Sequence, residues 1–166
     1  MIQRTLVLLK PDAVRRGIMG EIITRFEKIG LKIIAMKMKE TSLNLATQHY
    51  RKEEIAAKYG MVKWMRLLKF LISGPVVAIV LEGDQSVEVV RKVCGSTEPR
   101  IAVPGTLRGD FSHHTYDLSN EQEQSVRNVV HASSSIEDAN REISLWFEDS
   151  EICTYRTNDQ KEHFLD

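Results

Sequence analysis

Chemistry in this chain gathers first around one histidine. Asn128-Val-Val-His131-Ala-Ser133-Ser-Ser135 is a short β-prone run that ends at an imidazole and continues into three serines. Residues 136–147 follow at once and set Ile136, Ala139, Ile143, Trp146 and Phe147 at helical spacing on one face. Ser135, with Asp138 three places on, reads as the N-cap of that helix. In this register Glu142 lies three after Ala139 and four before Trp146, an acid at the border of the buried face. A strand-end imidazole with a carboxylate able to lean toward it makes an oriented nucleophile or base. By itself the segment is better accounted for by a histidine packed at a strand end, so the rest of the chain decides.

The other charged positions suit phosphate. Thr5-Leu-Val-Leu-Leu9 reads as a buried strand whose ladder Pro11 ends, leaving Lys10 at the strand terminus, where α/β proteins bind ligands. A solvated end-of-strand lysine is the alternative. Arg91, four after Val87 and three before Cys94, sits at the edge of a helix's inner face and needs an anionic partner, an acid or a ligand. Residues 95–111 form a long loop with two prolines and three glycines, too apolar for a linker, carrying Thr97, Arg100 and Arg108. Structured loops of that length inside a compact domain are usually functional. Lysine and arginine stabilise the oxygens of a transferring phosphoryl group, and a histidine can accept it. His113-His114 has no third ligand in view, which argues against a metal site, and no Walker or dinucleotide fingerprint is present.

These residues need a scaffold. Ile18, Ile22, Phe26 and Ile29 mark a helix stopped by Gly30, and residues 31–40 alternate as a strand with one watery face. Residues 42–71 contain no strand pattern. Leu43, Ala46 and Tyr50 predict one helix and Met61, Trp64, Met65, Leu68 and Leu71 another, with a polar link over 51–58. That helical hairpin carries His49, Tyr50 and Trp64, aromatics that at such spacing more often serve a core than a binding platform. Ser73-Gly-Pro75 is a turn, residues 76–82 are the most β-like run and so a central strand, and residues 86–94 form a helix. Residues 112–127 read as a polar surface excursion with room for a short helix, and the chain from about 148 as an irregular arm. The order β-α-β, helical hairpin, β-α-loop-β-α predicts an α+β sandwich of antiparallel strands backed by helices.

At 166 residues, 42% hydrophobic and 28% charged, the chain suits one soluble domain, 1–166, with a real core. The formal net charge of 0 gives no bulk field for nucleic acid or an anionic membrane, so phosphate-binding cations must be local. No apolar run reaches membrane-spanning length, and no signal peptide is expected. Cys94 and Cys153 lack metal or redox spacing and read as unpaired thiols of a reducing compartment, the cytoplasm.

Taken together, several motifs resemble nucleoside diphosphate kinases. They are Lys10-Pro-Asp-Ala-Val14 with Arg16-Gly17, Ser73-Gly-Pro75, the loop from Thr97-Glu-Pro99 to Pro104-Gly-Thr-Leu-Arg108-Gly-Asp-Phe111, and Asn128-Val-Val-His131-Ala-Ser133. The likeness runs in order over about residues 3–147. It implies a ferredoxin-like α+β core and a Mg²⁺-dependent, ping-pong exchange of the γ-phosphate between nucleoside tri- and diphosphates through a phosphohistidine. By position, His131 would be the nucleophile, with Ser133 and Glu142 orienting its ring. Lys10, Tyr50, Arg91, Thr97, Arg108 and Asn128 would hold phosphates and ribose, with Mg²⁺ bridging the phosphates and no direct protein ligand to the metal. Glu142 is the residue that helical register had already placed near the site.

The same likeness implies a homo-oligomer: a hexamer, alternatively a tetramer or dimer. Three departures stand out. Ser134 replaces the family's usual aspartate, the hairpin is longer than usual, and so is the loop over 112–127. The base-stacking phenylalanine has no obvious counterpart, and Trp64 is the expected substitute. Two other classes would fit the same motifs: a non-catalytic nucleotide-sensing or protein-interaction module, and an enzyme passing phosphate from His131 to a partner protein.

Overall fold

The computed structural model describes residues 1–158. Four strands, β1 (Ile2–Leu9), β2 (Lys32–Glu40), β3 (Pro75–Asp84) and β4 (Val130–Ala132), form one antiparallel sheet in the order β2-β3-β1-β4. Its helices, in chain order, are α1 (Pro11–Arg15), α2 (Met19–Glu27), α3 (Leu43–His49), α4 (Lys52–Tyr59), α5 (Met61–Leu71), α6 (Ser86–Cys94), α7 (Leu107–Phe111), α8 (Tyr116–Glu121) and α9 (Ile136–Trp146). Short 3₁₀ turns occupy Pro99–Ile101 and Asp149–Glu151. This is the ferredoxin-like α+β arrangement that the sequence predicts.

Strand β1 holds the centre because both of its faces are covered. Leu6 and Leu8 point to one side and meet Trp146, Phe147, Leu71 and Val80; Val7 and Leu9 point to the other and meet Ile22, Phe26, Val90 and Leu107. A strand buried on both faces needs a continuous apolar run rather than alternation, and residues 6–9 supply it. Register then aims the imidazole. His131 pairs with Leu8, and directly opposed residues share a face, so His131 leaves the sheet on the side covered by α9.

The departures from expectation have local causes. Pro11 does more than end β1: it takes the first position of a short helix, where its missing N–H costs nothing. The helix expected through Ile29 ends at Glu27, and Ile29 is half exposed. The polar link over 51–58 folds as α4, which buries none of its residues and so leaves no hydrophobic period to read. The expected two-helix hairpin is therefore three helices. The long loop contains α7, N-capped by the Thr106 hydroxyl, and the surface excursion contains α8, N-capped by Thr115. The arm beyond 148 lies against β2, where Cys153 N–H donates to Ile34 O at 2.7 Å and Tyr155 Oη–H to Ile33 O at 2.5 Å. Its last residues, 159–166, fall outside the described ones.

Candidate active site

A cavity of about 950 Å³ opens between the sheet's β4 end and the helices α4, α5 and α8. Lys10, Tyr50, Arg91, Thr97, Arg108, Asn128, His131 and Glu142 all line it, though they come from seven separate stretches of chain.

At its floor His131 Nε2 lies 3.0 Å from Glu142 Oε2 and 3.1 Å from Oε1. Glu142 Oε2 also accepts the Ser133 Oγ–H at 2.7 Å, and Arg141 Nη2 stands 3.5 Å from Oε1. Burial by itself would raise the Glu142 carboxyl, but the charge and hydrogen bond of His131, with help from His49 and Ser133, outweigh it and bring it down to about 2. A carboxylate so held accepts the Nε2–H and keeps the ring proton there, and Nδ1 becomes the nitrogen with a free lone pair. The register of α9 explains the geometry: Ser135 caps the helix by accepting Asp138 N–H, and two turns later Glu142 points back under β4.

Cations and amides surround this pair. Lys10 Nζ donates to Asn128 Oδ1 at 2.7 Å, and Asn128 Nδ2 donates to Thr97 O at 2.8 Å. Lys10 is 5% exposed, and burial, reinforced by the Arg108 charge and partly offset by Asp12, lowers its ammonium to about 8. Arg108 donates from Nε to Asn128 O, from Nη1 to Gly95 O at 2.7 Å and from Nη2 to Val130 O at 2.9 Å. Gly95 is free to end α6 with φ +77°, which brings its carbonyl within reach. Arg91 and Thr97 are exposed at the cavity wall. Tyr50 is buried, and burial holds its phenol above the ordinary value, so it remains a neutral donor. Cys94 also borders the cavity, and burial pushes its thiol up to about 11, so it offers no thiolate.

An imidazole with one nitrogen fixed and a cradle of buried cations suits acceptance of a phosphoryl group. Comparison with known proteins agrees. The family model for nucleoside diphosphate kinase matches residues 3–152. The chain belongs to the nucleoside diphosphate kinase family. A nucleoside diphosphate kinase from Borreliella burgdorferi is 48% identical over 164 residues, covering 99% of this chain and 98% of that protein. One from Pyrococcus furiosus is 47% identical over 154 residues, covering 93% and 88%. Among solved structures, a transition state mimic of the Borrelia burgdorferi nucleoside-diphosphate kinase with bound vanadate and ADP superposes with a TM-score of 0.96, at 48% identity, over 98% of this chain and 97% of that one. A halophilic nucleoside diphosphate kinase from Halobacterium salinarum in complex with CDP gives a TM-score of 0.83 at 34% identity, over 99% of each chain. The activity is that of a nucleoside diphosphate kinase, a phosphotransferase acting on nucleotides.

Within this nucleoside diphosphate kinase fold one expected residue is elsewhere. Trp64 is not among the described residues lining the cavity; its ring packs on the core and its Nε1–H donates to Tyr50 O at 2.7 Å. The outer wall instead presents Tyr59, Val62 and Tyr116. Lys63 Nζ lies 4.5 Å from the Tyr59 ring centroid and 4.6 Å from that of Tyr116, joining α4–α5 to α8 across the mouth. Ser134 Oγ–H donates to Asp138, at the rim.

Sequence reasoning missed His49 as part of the site. Its ring stands edge-on to His131 at 4.4 Å between centroids, and Trp146 Nε1–H donates to its Nδ1 at 3.2 Å. Burial, then the charge of His131, holds it well below its ordinary value and therefore neutral. The tight pair His49-Tyr50 at the end of α3 was the available signal. Among the described residues His49, His131 and Glu142 are one group of three with metal-ligating atoms, within 4.8 Å of one another. Glu142 is already engaged by His131, Ser133 and Arg141, which makes the group an oriented imidazole rather than a metal cage. His114 Nδ1 accepts the Arg127 N–H at 3.3 Å, and His113 is exposed.

No helix among the described residues is long and apolar enough to cross a membrane.

Proposed function

We propose that the chain, acting as one domain over 1–166, transfers the γ-phosphoryl group of ATP to nucleoside diphosphates by way of a phosphohistidine on Nδ1 of His131. The observation that carries this reading is the fixed Nε2: with Glu142 holding that edge of the ring, Nδ1 is the only nitrogen left to attack. As the N–P bond forms, the bond from phosphorus to the β,γ-bridging oxygen breaks and ADP leaves. A second nucleoside diphosphate then attacks the same phosphorus with a terminal oxygen, and the N–P bond breaks.

Lys10, Arg91 and Arg108 neutralise charge on the moving group and the leaving oxygen. Tyr50, Thr97 and Asn128 position phosphates and ribose, Ser133 holds Glu142, and Glu142 holds the imidazole. The acids lining the cavity, Glu54, Asp138 and Glu142, are each engaged by protein groups, Arg51, Ser134 and His131 respectively. Mg²⁺ therefore fits as part of the nucleotide substrate, carried on its phosphates. The base rests against the outer wall of Tyr59, Val62 and Tyr116, a surface that stacks with any base. That the solved structure of the Borrelia relative is a transition state mimic with bound vanadate and ADP supports phosphoryl transfer involving a nucleoside diphosphate. The family's habit supports a homo-oligomer, and the two free cysteines a cytoplasmic home.

Incubation with γ-labelled ATP and Mg²⁺ tests the reading. Acid-labile, base-stable label should appear on the protein and be discharged by any added nucleoside diphosphate. His131→Ala should take no label while still binding ADP. Label on that variant, or label that only protein acceptors discharge, would overturn it.

A further inference from the structure

One buried carboxylate beside the site has no part in the chemistry described so far. Asp12, in α1, is 7% exposed; its Oδ2 accepts the Val129 N–H at 3.1 Å while Oδ1 has no hydrogen-bond partner. Val129 is the odd residue of this pair. It is β-branched and fully buried, yet it adopts φ +59°, a region that L side chains of its shape avoid. The Val130 N–H donates to Asn128 O at 2.7 Å, closing a three-residue γ-turn of the positive-φ kind, which is rare and strained. Such conformations persist only where surroundings over-determine them.

The turn joins two functional residues, Asn128 before it and the His131 strand after it. Its outer carbonyls are braced by groups already assigned: Lys10 N–H donates to Val129 O at 2.9 Å, and Arg108 reaches Asn128 O and Val130 O at 3.3 and 2.9 Å. The central N–H is held by Asp12. Without that acceptor a buried donor would be left unpaired and Val129 would relax toward negative φ. Asn128 would then shift from Lys10, and β4 would leave the turn in another direction.

We propose that Asp12 is a positioning residue for phosphoryl transfer: its carboxylate locks the γ-turn at Val129 and thereby sets His131 and Asn128 on their shared target. The inference rests on the reading of His131 as nucleophile. Asp12 has a second route of influence, its charge on Lys10, and the test must separate the two.

Glycine separates them, because at position 129 it takes φ +59° without penalty and needs no lock. Single-turnover labelling by ATP, with ADP affinity measured alongside, is run on the wild type and on Asp12→Ala, Val129→Gly, the double variant and His131→Ala. Asp12→Ala should slow labelling by roughly 10- to 100-fold and weaken ADP binding by a smaller factor, the share of Asn128. In the Val129→Gly background the same change should cost less than about threefold. Asp12→Asn keeps an acceptor for the Val129 N–H and removes only the charge, so it should label within about threefold of the wild type; a loss as large as that of Asp12→Ala would assign Asp12 to Lys10. An undiminished rate in Asp12→Ala, or a loss that Val129→Gly leaves in place, would overturn the proposal, the second outcome assigning Asp12 to Lys10. Label on His131→Ala would instead strike the nucleophile reading itself.

Discussion

The floor and the mouth of the cavity are built on different principles. At the floor Lys10, Asn128, Ser133, Glu142 and His49 are each 5% exposed or less, and every one is tied by side-chain hydrogen bonds to another element. At the mouth Tyr59 and Val62 are 48% and 56% exposed, and the contacts spanning it are Lys63 between two tyrosine rings and Arg66 Nη1–H donating to Asn120 Oδ1. Buried polar groups tied in this way keep one geometry, because each lost partner leaves a costly orphan. Exposed ring and cation contacts are worth about 0.5–1 kcal/mol apiece and can open and close. One cavity thus has a fixed end and a yielding end, the contrast that the proposed placement of phosphoryl group and base relies on.

Glu142→Gln should strike hardest. It removes the carboxylate that fixes Nε2, and turnover should fall on the order of 10³-fold, as when a catalytic imidazole loses the acid that sets its tautomer. The same substitution has a stability signature. The folded carboxyl, at about 2 against 4.5, stabilises above pH 4.5, and that contribution is lost as pH falls from 4.5 toward 2. Acid titrations of unfolding should therefore be flatter in that window for Glu142→Gln than for the wild type. Equal slopes would mean the carboxylate is less engaged than the floor geometry requires.

Lys10 gives a smaller, reversible effect. Its ammonium titrates at about 8 in the folded chain, so kcat/KM should decline above pH 8, whereas kcat should hold to higher pH because bound phosphate restores the charge. Unlike the Glu142 carboxylate, the charged form of Lys10 destabilises the fold, yet stability again rises with pH. Between pH 8 and 10.5 the unfolded chain binds the extra proton, so the cost of burying this ammonium is relieved as pH rises through that window. Profiles of kcat/KM and kcat that turn at the same pH would contradict this account.

The smallest effects belong to the mouth. Tyr59→Ala should raise nucleotide KM by about fivefold, the share of one stacking contact of ~1 kcal/mol, and leave the saturated labelling rate alone. Trp64→Phe should cost about 1 kcal/mol of stability for its hydrogen bond to Tyr50 O and leave KM unchanged. The reverse pattern would return Trp64 to the base site.

The same contrast governs what could be read from sequence. The floor was legible where local register decides: the β-prone run before His131 put it in a strand, though in the middle of β4 rather than at its end, and spacing from Ala139 and Trp146 put Glu142 at the border of the buried face. Strands β1 and β3 followed from the apolar runs that burial on both faces demands, and β2 from the alternation of a strand with one watery face. Helix α4 was illegible because it has no fully buried residue, only Ile55 leaning on the core, and so leaves no period. Trp64 was misplaced because helical spacing shows that aromatics share a face without showing whether that face meets core or cavity. Asp12 and the guanidinium bonds of Arg108 join residues 117 and 13 to 22 positions apart, contacts that only the closed fold creates.

Arg108 carries the last consequence. Its guanidinium spans the carbonyls of Gly95, Asn128 and Val130, so a cation that lines the cavity is also the bracket on which its neighbours hang. A lysine there would keep the charge but has one nitrogen, which cannot reach three acceptors set in a planar fan. Charge and carpentry are thus inseparable at this position, and a replacement conservative in sign is not conservative in structure.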